Sequence, residues 1–383
     1  MKSNYDVLGN HIRLVDNRNK NNITDRVLGI NIDKYFMPSV ANVIGTDLSK
    51  YKLITKGMFA CNPMHVGRDE RLPVALYTEE EPAIVSPAYF MFEIIDNSFL
   101  DENYLMMWFR RPEFDRNCWL HTDGSVRGGI TWEDICMLEL PVPPINEQRK
   151  IVQAYQNITN RIELKKRIND NLEATAQTIF KSHFISFEQY QCKMPQNWTA
   201  ATVSDVVTVT RGASPRPIQN YMSLKGMPWV KISDASLSCS KYLFETAQYI
   251  IQEGVSHSRM VTPGMMIVSN SASPGLPMIM EITACVHDGW LIIDDYKQVT
   301  QEYMYYYFLS ERQSLISSSN GSVFNNLKTD IVKKHKIIIP DSKTMNYVTS
   351  QFTALNKSIK ANAQEINQLE ILKETILSLL STN

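Results

Sequence analysis

Two stretches of the chain place their apolar residues at alternating steps of four and three. The first runs through Ile151, Tyr155, Ile158, Ile162, Lys165, Asn169, Leu172, Ala176 and Ile179. The second runs through Val348, Phe352, Leu355, Ile359, Asn362, Ile366, Leu369, Lys373 and Ile376. Such steps keep every member on one side of an α-helix and are the seam pattern of a coiled coil. Each residue of the second stripe lies 197 positions beyond its counterpart in the first. Packing in an ordinary helical core gives no reason for that shared phase, so the two helices are expected to pack on each other, antiparallel. Lys165 and Asn362 hold equivalent places in the seam. A polar residue there costs stability but fixes register and choice of partner.

The offset extends beyond the helices. Gly124-Ser125-Val126 returns as Gly321-Ser322-Val323, and at the same spacing Ile130 matches Leu327, Glu133 Asp330, Ile135 Val332 and Pro143 Pro340. With small shifts, Thr55-Lys56-Gly57-Met58 matches Thr262-Pro263-Gly264-Met265, and Leu72-Pro73 matches Leu276-Pro277. The run Tyr104–Phe109 likewise resembles Tyr303–Phe308. A three-residue match means little alone, but matches kept in order along the chain indicate duplication. Four segments follow: a globular domain over 1–144, a helix over 145–185, a second globular domain over 186–340 and a second helix over 341–383. Short β-rich runs such as Ala83–Val85, Met91–Ile94 and Met265–Val268 lie between Pro, Gly, Asn and Ser clusters, as in a loop-rich mixed domain. The predicted fold is α+β (mixed α/β), with two repeated globular domains at opposite ends of an antiparallel coiled coil, related by a rough two-fold axis.

Composition narrows the function. At 383 residues and 44% hydrophobic, the chain is ample for two cores. No apolar run approaches the roughly 18–20 residues of a membrane span, and Met1–Asp6 begins no apolar signal core, so a cytoplasmic protein without membrane attachment is expected. The cysteines, Cys61, Cys118, Cys136, Cys192, Cys239 and Cys285, form no C-x-x-C pair and read as reduced thiols. The net charge is −1, yet residues 1–75 hold eleven Lys/Arg against seven Asp/Glu, and residues 76–115 two against nine. That distribution fits either a local basic face or ordinary surface variation.

Catalytic motifs are missing. Asn62-Pro63-Met64-His65 fails the [D/N/S]-P-P-[Y/F/W] pattern that holds a flipped base in amino-methyltransferases. There is no G-x-x-x-x-G-K-[S/T] phosphate loop. Pro340-Asp341 opens a helix and lacks the acidic-x-Lys partner of a metal nuclease, and seven histidines, His65, His257 and His287 among them, lack ligand spacing. No catalytic residue and no metal ligand is assigned.

The segment Leu140-Pro141-Val142-Pro143-Pro144-Ile145-Asn146-Glu147-Gln148-Arg149-Lys150-Ile151-Val152 resembles the signature that opens the central helix of type I restriction-modification specificity subunits. Trp198 after Pro195-Gln196-Asn197, Arg211-Gly212-Ala213-Ser214-Pro215 and Pro228-Trp229-Val230-Lys231-Ile232-Ser233-Asp234 resemble the opening of the second target-recognition domain of that family. The resemblance covers the whole chain in order. Two departures stand out: the first domain offers only Gly29-Ile30-Asn31-Ile32 in place of P-W-V, and the second helix opens on Pro340-Asp341-Ser342-Lys343. The resemblance implies a non-catalytic subunit that reads a split target in double-stranded DNA and joins two methyltransferase subunits and two restriction-translocation subunits. S-adenosylmethionine, ATP and magnesium would belong to those partners, with no cofactor in this chain. About 30 helical residues give a rod of roughly 45 Å, a little over one turn of B-DNA. Two readers on it would contact two half-sites with an unread gap between them.

The alternative is a coiled-coil scaffold, or a stand-alone DNA-binding adaptor without a restriction partner. A scaffold needs no polar contact sets on its loops, and these loops are rich in them. In the second domain they are Arg211, Ser214, Lys231, Asn270, Ser271, Ser273, Asn320, Ser322, Asn325, Asn326 and Lys328. The first-domain set is Arg18, Lys20, Asn31, Asn62, Arg68, Arg71, Ser125 and Arg127. Asn reads adenine edges, Arg and Lys read guanine, and Ser holds phosphates. Singly, each Asn or Ser is more readily a turn former, and only as a group do they point to a DNA face.

Overall fold

The structure, a computed structural model, describes residues 5–41, 45–64, 66–122, 128–318 and 326–380, side chains at 68 and 237 excepted. It contains two compact units, Met1–Arg161 with Leu369–Asn383, and Ile162–Gln368. The division passes through the two long helices, Ile145–Phe184 and Ser342–Leu379, and not at their ends, where the sequence pattern puts the segment boundaries. Packing explains this. Val152, Tyr155, Leu377 and Leu380 complete the core of the first globular part, whereas Ala176, Phe180, Val348 and Phe352 complete that of the second. Each stretch of helix belongs to the domain whose core its apolar side chains enter.

The two globular parts share a topology. In the first, an antiparallel sheet runs in the order Ile12–Leu14, Phe90–Ile94, Phe59–Cys61, Val74–Leu76. The second has Thr208–Arg211, Trp290–Asp294, Met266–Ser269 and Pro277–Met280 in the same order, with Tyr242–Leu243 added in parallel. A further layer in the second part orders Met222–Ser223, Gln248–Ile250, Met227–Val230, Ala284–Val286 and Arg259–Val261. In the first part the same layer survives as two strand pairs, Leu28–Ile30 with Phe36–Pro38 and Lys52–Ile54 with Ala83–Val85. These pairs are joined by a single parallel bridge between Val27 and Ile84. Each part also pairs its opening strand with the strand leading into a long helix: Tyr5–Val7 with Glu139–Pro141, and Thr199–Thr202 with Lys336–Ile339.

Repeated sequence gives repeated bonds. Met58 N–H donates to the Thr55 carbonyl and Met265 N–H to that of Thr262, each at 3.1 Å. The glycines between them have φ +86 at Gly57 and +90 at Gly264, the left-handed value a type II turn requires at its third residue. Ahead of each long helix, the Tyr104 hydroxyl donates to the Pro141 carbonyl at 3.1 Å and the Tyr303 hydroxyl to that of Ile338 at 2.6 Å.

Along the first long helix, Tyr155, Ile162, Asn169 and Ala176 are buried, and Ile151, Ile158, Lys165, Leu172 and Ile179 are half-buried. In the second helix Val348, Phe352, Ile359 and Ile366 are buried, while Leu355, Asn362, Leu369, Lys373 and Ile376 are half-buried. Within the Ile162–Gln368 unit the helices run antiparallel, since Phe180 lies against Phe352 while Asn169 Nδ2 donates to the Ile359 carbonyl at 3.3 Å. Lys165 Nζ donates to Asn362 Oδ1 at 2.9 Å and pairs with Glu365 at 2.7 Å. Asn362 Nδ2 in turn donates to Asn169 Oδ1 at 2.9 Å. Lys165 thus touches its own counterpart in the repeat, as two segments related by a local two-fold must. Sliding either helix by one heptad would strand this polar set among apolar side chains.

Candidate nucleic-acid interface

The strand Thr208–Arg211 delivers the second domain's loop cluster. Gly212 N–H donates to the Trp290 carbonyl at 2.8 Å, and a Cβ at Gly212 would lie 2.3 Å from the His287 carbonyl oxygen. That atom and the next nearest, the Val286 carbonyl oxygen at 3.0 Å, are backbone, so no side chain fits and the loop reaches the turn His287–Gly289 only through a glycine. Beneath it, Trp229 and Val230 are buried on the central strand of their layer, with the Trp229 and His287 rings 6.2 Å apart.

Asp288 is the hub. Its Oδ1 accepts from the Ser214 hydroxyl at 2.8 Å, and its own N–H donates back to Ser214 Oγ at 3.2 Å. Its Oδ2 accepts from Arg216 at 3.1 Å, and its carbonyl accepts Arg211 Nε at 2.9 Å and Asn270 Nδ2 at 3.1 Å. Burial opposes ionisation of Asp288, but the Ser214 hydrogen bond and the His287, Arg216 and Arg211 charges together hold its carboxyl below the usual range. Burial lowers the His287 imidazole; Asp288 works against that, and Lys231, Arg211 and Arg216 add to it. The site therefore holds an ionised acid between exposed arginines, beside a histidine that burial holds below its ordinary range.

Asn270 stitches three loops together. Nearly buried, it donates its N–H to the Gly289 carbonyl at 2.8 Å and accepts from Leu327 N–H at 2.7 Å. Leu327 stands between the exposed residues Asn326 and Lys328, which are thereby carried to the same cluster. Ser273 N–H donates to the Ser271 carbonyl at 2.6 Å, closing the turn that follows Asn270. Lys231 N–H donates to Asp234 Oδ2 at 2.7 Å, which starts the helix Ile232–Leu237. Asn320, Ser322 and Asn325 lie outside the described residues.

The first domain uses its residues differently. Arg18 donates to the Lys50 carbonyl at 2.8 Å and pairs with Asp16 at 2.7 Å, and Lys20 is exposed. Asn31 Oδ1 accepts from Tyr35 N–H at 3.1 Å, holding the hairpin turn, while Arg71 reaches Asp33 in that same turn at 3.5 Å. Asn62 Oδ1 accepts from Met64 N–H at 3.1 Å, and Ile130 N–H donates to the adjacent Pro63 carbonyl at 3.2 Å. That last bond is the equivalent of Leu327 to Asn270. Ser125, Arg127 and the Arg68 side chain lie outside the described residues.

Sequence reasoning missed Arg216, Asp288 and two arginines, Arg110 and Arg116, that line a cleft with Asp33, Arg71 and Trp119. Arg216 directly follows the Ser214-Pro215 dipeptide, so the motif itself pointed to it. Asp288 is 77 residues from Arg211, about half the length of the domain, and no local pattern announces their contact. Among the described residues no three His, Cys, Asp or Glu side chains gather as metal ligands, and no helix is long and apolar enough to cross a membrane.

Comparison with known proteins gives one answer. The family model for the type I restriction modification DNA specificity domain matches residues 75–174 and 195–371. The specificity subunit of type I restriction enzyme MjaIX from Methanocaldococcus jannaschii is 22% identical over 278 residues, which is 66% of this chain and 63% of that protein, just under two thirds of its length. A second protein of that organism, named for the MjaX specificity subunit, is 20% identical across 100% of this chain and 88% of its own length. Among solved structures, a type I restriction-modification S subunit from M. genitalium is 14% identical with a TM-score of 0.59, covering 98% of this chain and 95% of that one. At that identity the likeness is one of fold.

Proposed function

Because the chain belongs to the type I restriction modification DNA specificity family, we propose that it is the sequence-reading subunit of a type I complex and that each globular domain reads one half of a split double-stranded target. In this reading the long helices form the antiparallel rod that sets the gap between half-sites. Two methyltransferase subunits dock on the chain, joined for cleavage by two restriction-translocation subunits. Catalysis, with S-adenosylmethionine, ATP and magnesium, belongs to those partners, and the complex works in the cytoplasm.

The observation that carries the reading is one sheet order used twice, with different polar side chains at the strand ends. Two copies of a scaffold with unlike contact sets suit two unlike short sequences. The Lys165–Asn362 contact supports a helix pair locked in one register.

Exchanging residues 186–340 for the equivalent segment of a related specificity subunit tests this, with methylation mapped by long-read sequencing in a host expressing the complex. The expected result is a target changed in one half alone. A change in both halves, or in neither, overturns the assignment and favours a scaffold. Deleting one heptad from the first helix should shorten the unread spacer and leave both half-sites intact.

A further inference from the structure

The loop cluster of the second domain holds an acid where a DNA face would be expected to hold only bases. The Arg211 and Arg216 side chains are 58% and 78% exposed, and both approach the Asp288 carboxylate, at 3.9 and 3.1 Å. The Ser214 hydroxyl donates to that carboxylate and accepts from the Asp288 backbone N–H at once, so the carboxylate is held beside the arginines. The Asp288 carbonyl accepts from Arg211 Nε and the carboxylate lies 3.9 Å from Nη2, so the guanidinium is held against Asp288 while more than half of the side chain stays exposed. Burial is partial, so the negative charge acts at the surface where DNA would approach.

An anionic phosphate meeting Arg211 must approach a fixed carboxylate as well. A guanine edge presents two neutral acceptors, O6 and N7, that suit a planar fork without adding charge. From this geometry we infer that Asp288 is a positioning residue for specificity, which disfavours phosphate at Arg211 and Arg216 and reserves Arg211 for a guanine edge in the second half-site. This rests on the proposed function and adds to it the kind of base read and the residue that enforces the choice.

The test uses the full-length chain co-expressed with its methyltransferase subunit, in binding titrations against the mapped target, single-base variants of it and unrelated duplex, at two salt concentrations. Asp288→Asn keeps the size and an acceptor for Ser214 but removes the charge. Its affinity for unrelated duplex should rise several-fold, with the salt dependence steepened by about one to two released counterions. Discrimination at one guanine of the second half-site should fall by roughly five- to 150-fold, the range a bidentate arginine contact supplies, with the first half-site unaffected. A loss of discrimination confined to one guanine, in a variant whose melting temperature matches the parent's, separates positioning from a structural role. Ser214→Ala leaves the charge and frees the carboxylate, so it should lower discrimination at the same guanine without tightening unrelated duplex; it carries the test should Asp288→Asn not fold. Unchanged discrimination in both variants, or a uniform loss across all sequences, overturns the inference. If the unsubstituted complex has no sequence preference, the proposed function itself fails, a result distinct from either.

Discussion

The two globular domains are built on the same backbone bonds and filled with opposite chemistry. The Thr-x-Gly-Met turn, the tyrosine bond to the strand before the helix, and the bond from Ile130 or Leu327 to the neighbouring loop recur in both. All three end on a backbone carbonyl, so they tolerate change in most side chains around them. The polar contacts do not recur. Phe59 pairs with Phe92 and Leu14 with Phe92, as Met266 and Val209 pair with Ile293. Counting outward from these pairs puts Asp16 at the place of Arg211 and Pro87 at the place of Asp288. Where the second domain sets a base against an acid from another loop, the first sets an acid against Arg18 two residues away. A duplicated scaffold can thus change its reading chemistry without disturbing what holds it together.

The buried lysines give the largest test of this contrast. Lys34 is buried in the first domain, bonded to Asp115 at 2.7 Å and to the Phe109 carbonyl. Lys241 is buried in the second, bonded to Glu173 at 2.7 Å, Asn356 at 2.6 Å and Tyr306 at 2.9 Å. Burial lowers the pKa of both, and the adjacent carboxylates return only part of that cost. Truncating either lysine leaves an uncompensated buried carboxylate, so Lys34→Met and Lys241→Met should each cost about 3–5 kcal/mol in chemical denaturation. The partners differ: those of Lys34 lie within its globular part, whereas Glu173 and Asn356 lie on the two long helices. Hydrogen exchange should therefore accelerate around 173 and 356 in Lys241→Met, and nowhere on the long helices in Lys34→Met. Equal acceleration of the helices in both variants would erase the distinction.

Next in size is Gly212→Ala. The added carbon would meet backbone atoms of Val286 and His287, which cannot rotate away, and overpacking of this kind costs about 1–3 kcal/mol. Since Gly212 carries the loop bearing Ser214 to Asp288, reading of the second half-site should weaken while the first is unchanged. Methylation mapping with half-site variants measures both. Loss of both half-sites together would mean that the domains are not separate readers.

The helices and the duplication were legible because their signals are periodic or local. A seam repeats over many turns, and a type II turn needs its glycine within three residues. The division into units was not legible, because it depends on which core Tyr155 or Phe352 enters, and both hold the same place in the seam pattern. Of the expected contact residues, Arg211, Ser214 and Asn270 come together at one acid. Asn31 and Asn62 hold turns, the role short polar side chains take by default. Asp288 stayed invisible because its contacts join loops more than seventy residues apart, a separation that only the folded sheet closes.

The starts of the long helices differ as the loops do. The first is fastened by buried Gln148, which accepts from Asp101 N–H at 2.9 Å and donates to the Phe99 and Pro143 carbonyls at 2.9 and 2.7 Å. At the equivalent position the second has Met345, and Asp341 takes over, accepting from Lys343 and Thr344 N–H at 3.0 Å each and from the Trp198 indole at 2.9 Å. Thr344 above all, then Trp198, holds the Asp341 carboxyl at about 2. A carboxyl depressed in the folded state stabilises above its unfolded pKa of 3.8, and that contribution is lost as pH falls toward 2. Asp341→Ala should cost about 0.5–2 kcal/mol at neutral pH, and Asp341→Asn less. Both should flatten the stability profile between about pH 4 and 2 relative to the parent. A parent-like slope in Asp341→Asn would show that other carboxylates carry it.

The smallest effect bears most directly on the duplication. Tyr104→Phe and Tyr303→Phe each delete one hydroxyl and leave one strand carbonyl, that of Pro141 or Ile338, without its donor. The net worth of such a bond is about 0.5–1.5 kcal/mol. Both rings are almost wholly buried, so the phenylalanine fills the same space and the loss should come from the bond alone. The two substitutions fall in different compact units and share no partner, so their costs should add to within about 0.3–0.5 kcal/mol in the double variant. Calorimetry of the two single variants and the double variant measures this. If the copies are energetic as well as geometric repeats, the single costs will match. A large cost in one domain and none in the other would mean that the shared bond is a relic of the common fold in one copy and a structural support only in its twin.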